Sequence, residues 1–79
     1  MADLRFYPTE YEMAEISNAV LEERPHLDTY EFSMAMRTEV VEWGKDKYRD
    51  RYGMRKPVPK DVTSRLWDAA RADYPAELG

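Results

Sequence analysis

Seventy-nine residues with 12 basic and 16 acidic side chains and no cysteine exclude disulfide staples and thiolate metal sites. The balance of 43% hydrophobic and 35% charged residues is that of a folded, soluble chain rather than a disordered one. A chain this short buries only about 60% of the surface its unfolded form exposes, so tight helix packing or association has to supplement a small core.

The N-terminal stretch "ADLRFYP" alternates Leu4 and Phe6 with Asp3, Arg5 and Tyr7, which is the period of a strand. No second strand follows to pair with it. It therefore either lies extended over the helices or pairs with a copy of itself in a dimer. No basic block followed by an apolar block occurs in "MADLRFYPTE", and no apolar run approaches the roughly 20 residues of a membrane span. A cytoplasmic setting is the expectation.

A first helix starts after Thr9. "TEYE" is a capping box, in which the Thr9 hydroxyl accepts from the third helical amide and Glu12 reaches back. Met13, Ile16, Val20 and Leu21 recur at helical spacing, with Glu12, Glu15, Glu22 and Glu23 forming an acidic side. Pro25 stops the helix.

"DTYE" opens a second helix, with Asp28 as its cap and Glu31 completing the box. It runs to Tyr52, where Gly53 supplies a left-handed closing residue. Gly44 lies inside it and costs about 1 kcal/mol relative to alanine, which leaves a break at that point open. Two apolar stripes run along this helix. Phe32, Met36, Val40 and Trp43 form one, and Tyr30, Met34, Val41, Tyr48 and Tyr52 lie nearly opposite. In a simple bundle each stripe is covered by one neighbouring helix. The other reading makes the Tyr/Met stripe a self-association or partner surface. Met34, Val41 and Tyr48 are seven apart, as in a helix-helix seam, and both residue types are common at interfaces.

A third helix begins near Asp61, after Pro57 and Pro59, and ends at Tyr74 before Pro75. Val62, Leu66, Ala69 and Ala70 form its apolar side. The fold expected is one all-α domain over residues 1–79, with helices at about 9–24, 28–52 and 61–74 and a short extended N-terminal segment. Dimerisation is left open.

Catalytic signals are absent. His26 is the single histidine and sits in a connection, and Ser17, Ser33 and Ser64 have no base partner in sequence. Three glycines cannot build a phosphate-cradling loop. The expectation is a non-enzyme with no cofactor and no metal.

Charge is polarised. Residues 1–40 hold nine acids against three bases, whereas residues 41–79 hold nine bases against seven acids. The bases concentrate in "KDKYRDRYGMRKPVPK" as Lys45, Lys47, Arg49, Arg51, Arg55, Lys56 and Lys60. Cations complement the negative end of the second helix, and Asp46 pairs with Arg49 three residues on. Neither effect accounts for Arg55, Lys56 and Lys60, which lie beyond the helix. This excess points to an anionic partner. Phosphates are one candidate, with Tyr48 or Tyr52 stacking. An acidic protein surface is the other, favoured by the mixed charge of the patch.

The order "ADLRFYP", "TEYEMAEISNAVLEER", "DTYEFSMAMRTEVVEW", residues 2–43, resembles the ribbon-helix-helix family. The resemblance implies a dimer whose paired strands turn Asp3, Arg5 and Tyr7 toward DNA, and a repressor or antitoxin-like role with the third helix free to hold a partner. The sequence departs from the family's pattern at Pro25, His26 and Leu27, which replace the usual small-residue turn, and Asp3 suits DNA poorly. Residues from Gly44 onward lie outside the match.

The leading expectation is a non-catalytic protein-binding module: an adaptor, regulator or inhibitor of a larger complex. A DNA-binding regulator is the alternative. Partner contact falls to the basic patch or to the Tyr/Met stripe. The acidic side of the first helix is a further candidate, for occupying a nucleic-acid-binding site on another protein.

Overall fold

Two capping boxes set where the chain turns helical. In a computed structural model describing residues 5–76, the Thr9 hydroxyl accepts from the Glu12 amide at 3.2 Å, and Glu12 accepts from the Thr9 amide at 2.9 Å. Asp28 and Glu31 repeat the exchange at 2.7 and 3.2 Å. Each cap satisfies amides the helix leaves orphaned and is worth about 1 kcal/mol. They open α1 (Glu10–Glu23) and α2 (Thr29–Tyr52). The third helix, α3 (Lys60–Asp73), has no side-chain cap and starts directly after Pro59. No strand occurs among the described residues.

Helix α2 runs unbroken through Gly44. Its 24 residues, at about 1.5 Å each, account for the 36 Å long dimension of the molecule. Gly44 is there for close approach. A Cβ at that position would lie 2.6 and 2.7 Å from the Leu66 methyl carbons and 3.0 Å from the Phe6 carbonyl oxygen. Gly53 ends the helix with φ 107°, its amide donating to the Arg49 carbonyl at 2.7 Å. There the need is conformational, because the space around it is open.

α2 is the central element. Among the described residues α1 and α3 each pack against it and not against each other. The core is Ile16 and Val20 from α1, Ala35, Met36, Val40 and Val41 from α2, and Leu66 and Ala70 from α3. Phe32 reaches the end of α3, its ring 6.4 Å from that of Tyr74, and the Arg37 guanidinium donates to the Tyr74 carbonyl at 2.7 Å.

Only the second half of the N-terminal segment, from Arg5, is described. Residues 5–7 make a turn rather than a strand and lie across the helices. The Phe6 ring meets Tyr48 at 5.3 Å and Tyr52 at 6.1 Å on α2. The Tyr7 hydroxyl donates to the Asp73 carboxylate on α3 at 2.5 Å. Asp3 and Leu4, and with them the expected pairing across a dimer, fall outside the described residues.

Candidate functional site

The seven cations of the basic stretch divide into two groups. Lys45 and Lys47 point about 160° apart around α2, so they cannot share one surface. Lys45 lies 3.7 Å from Glu42, and Arg49 lies 3.0 Å from Asp46. Lys47 crosses to α1 and pairs with Glu12 at 2.7 Å. That hydrogen bond is the main reason the Glu12 carboxyl is held below its ordinary range, with the Thr9 amide adding to it. These three lysine and arginine side chains are fastened within the fold.

The second group is the tip of the molecule. Arg51 lies over the Tyr52 ring at 5.7 Å in the last turn of α2. Arg55 and Lys56 sit in the connection, and Lys60 is the first residue of α3. All three are exposed and have no ion-pair partner among the described residues. Met54, 72% exposed, precedes Arg55 in the same connection.

The Tyr/Met stripe is not a continuous open surface. Val41 is only 1% exposed and belongs to the core, which corrects its assignment to a partner surface. Tyr48 and Tyr52 pack against the Phe6 ring, Tyr48 half-buried and Tyr52 exposed. Tyr30 and Met34 line a shallow recess with Leu27 and Ala35 at the other end of α2. Apart from Ala35, the buried residues of α2, from Met36 through Val40 and Gly44 to Val41, span about 140° and straddle both expected stripes.

A groove that sequence reasoning missed runs between α1 and α2, with a volume of about 410 Å³. Ile16, Ala19, Val20 and Trp43 form its apolar floor. Glu15 and Glu23 from α1, and Glu39, Glu42 and Asp46 from α2, form its rim. Lys45 and Arg49 neutralise Glu42 and Asp46, while Glu15, Glu23 and Glu39 face no cation among the described residues. The Trp43 indole Nε1 is buried and finds no acceptor among the described residues. The acidic side of α1 was legible. Its counterpart was available in Glu39, Glu42 and Asp46, spaced i, i+3, i+7 beside Trp43.

Tyr7 faces inward. Burial first, and then its bond to the Asp73 carboxylate, push its hydroxyl above the usual tyrosine range. Burial and Asp73 raise Tyr74 as well. The ribbon order would turn Tyr7 outward, toward DNA; here it is committed to α3. Nor is α3 free to hold a partner along its whole surface, since Leu66 and Ala70 are core. His26 is exposed in the α1–α2 connection, Ser33 is buried and Ser64 is exposed. No group of described acidic or histidine side chains is arranged to hold a metal ion, and no described helix is long and apolar enough to cross a membrane. Comparison with family models, characterised proteins and solved structures finds no match.

Proposed function

We propose that this chain is a non-catalytic protein-binding module, an adaptor, regulator or inhibitor, and that the tip around residues 51–60 makes the contact. The observation that carries the reading is the set of exposed cations Arg55, Lys56 and Lys60, without an ion-pair partner among the described residues, beside the exposed Met54. Helix-end electrostatics account for Arg49 and Arg51 in the last turn of α2. They work against Lys60, a cation in the first turn of α3, where the dipole is positive. An acidic partner surface would relieve that cost and meet Arg55 and Lys56 as well. An apolar side chain ringed by charge is also how protein interfaces combine an anchor with orientation.

An acidic protein surface fits this tip better than nucleic acid does. Stacking bases need open aromatic faces. The Tyr48 and Tyr52 rings already pack on Phe6 and on each other, with centroids 4.6 Å apart.

The test is a fluorescence-anisotropy titration of two labelled probes, an acidic amphipathic peptide of alternating Glu and Leu and a DNA duplex, at low and near-physiological salt. The peptide should bind and lose affinity at least about tenfold on Arg55→Glu/Lys56→Glu. A tighter duplex, with a salt slope that flattens by about one unit for each of Arg55→Ala and Lys56→Ala, would replace this reading with the DNA-regulator one. Binding of neither probe sinks both.

A further inference from the structure

We infer that the partner of the cationic tip is a second copy of this chain, whose acid-rimmed α1–α2 groove receives Met54, so that copies join head to tail. The inference rests on the preceding reading of residues 51–60 as a binding surface and names what they bind.

The two surfaces are complementary in charge and in apolar character. Among the described residues, three rim carboxylates, Glu15, Glu23 and Glu39, face no cation, and three tip cations, Arg55, Lys56 and Lys60, face no anion. Opposed across an interface, each set supplies what the other lacks. The groove floor of Ile16, Ala19, Val20 and Trp43 is apolar, with Ala19 exposed and Trp43 half-buried, and the tip carries an exposed Met54. Methionine is unbranched and polarisable, fits irregular gaps, and makes favourable sulfur contacts with an aromatic ring such as that of Trp43.

One further feature favours a backbone loop as the guest. The connection after Gly53 contains Pro57 and Pro59, which restrict the backbone and lower the entropy lost when it is bound.

The geometry requires two chains. The tip joins α2 to α3, while the groove lies between α1 and α2. Different surfaces meet, so the contact is heterologous and propagates unless rotation closes a ring. One side chain and three ion pairs make a small interface, and the association is correspondingly weak and salt-sensitive.

Sedimentation equilibrium over a concentration series, at low and high salt, tests this. The wild type should show a mass rising with concentration and falling with salt. Met54→Asp spoils the tip, and Ala19→Arg fills the groove and places a competing cation among its carboxylates. Both positions are exposed, and circular dichroism checks that each variant folds. Each variant alone should be a monomer. Mixed, they should form a discrete heterodimer, because one keeps an intact groove and the other an intact tip. A wild type that stays monomeric up to about 1 mM overturns the inference. So does an association that survives both substitutions, which would place the contact elsewhere, for instance around Tyr30 and Met34. If the wild type is monomeric but the acidic peptide still binds it through Arg55 and Lys56, the tip reading stands and only the self-docking fails. If neither is seen, both fail.

Discussion

Gly44 sets two costs against each other. A glycine in a helix interior is about 1 kcal/mol worse than alanine. A methyl group here would meet Leu66, which is buried, at under 3 Å and would press on the Phe6 carbonyl. The Leu66 contact is with the end of a side chain, but that side chain is 2% exposed and packed in the core, and the Phe6 contact is with backbone. Overpacking of this kind typically costs about 1–3 kcal/mol, so Gly44→Ala should be destabilising despite its helix propensity. Urea unfolding would measure it. A variant more stable than wild type would mean that α3 shifts outward at little cost. The sequence exposes only one side of this balance. It reveals the glycine inside a helical pattern, but Leu66 lies 22 positions away on another element, and no periodicity connects them.

At the scale of elements, the helices were legible because their starts are written in local chemistry. "TEYE" and "DTYE" satisfy orphan amides within one turn, and the proline-bearing connections and Gly53 mark the ends. The coverage of α2 was not legible. A helical wheel gives the angle of each side chain but not which arc its neighbours cover, and Val41 therefore read as part of an open stripe. The same limit hid the join between α1 and α2, where Lys47 of the basic stretch reaches Glu12 of the acidic one. This pair has a pH signature. The Glu12 carboxyl is held below its ordinary range in the fold, so its contribution to stability is complete above the pKa of the unfolded chain. It disappears as pH falls through the lower folded value. Glu12→Gln keeps a side-chain oxygen for the Thr9 amide and removes the charge that faces Lys47. The melting temperature of this variant should therefore lie below that of wild type at neutral pH, and the two should converge in acid. A gap that is constant with pH, or that widens in acid, would show that the Lys47 contact does not act through the ionised carboxylate.

The whole molecule is held together by α2 and by the short strap of Phe6 and Tyr7. α1 and α3 do not support each other directly, so each depends on its own contacts with α2. For α1 these are Ile16, Val20 and the Glu12–Lys47 pair. α3 has Leu66 and Ala70 in the core and, in addition, the strap, in which Tyr7 holds Asp73 while Phe6 packs on α2. The alternation that read as a strand is the mark of this strap: two adjacent aromatic residues, one packing on α2 and the other on α3. Among the described residues it has nothing to pair with as a sheet. Removing Phe6 should loosen α3 selectively. Phe6 is half-buried, so Phe6→Ala should cost about 2 kcal/mol, less than a fully buried phenylalanine. Native-state hydrogen exchange would locate the loss. The amides of residues 66–73 should open at lower free energy, while those of residues 13–20 keep most of their protection. Equal loss in both helices would show that the three helices open as a single unit and that the strap stabilises the bundle as a whole. Selective loss would leave α1 packed on α2, with the acid-rimmed groove intact, while the α3 end of the tip is released. The proposed docking would then weaken through Lys60 and the connection alone, and a self-association measurement on Phe6→Ala would separate the contribution of the ordered tip from that of the groove.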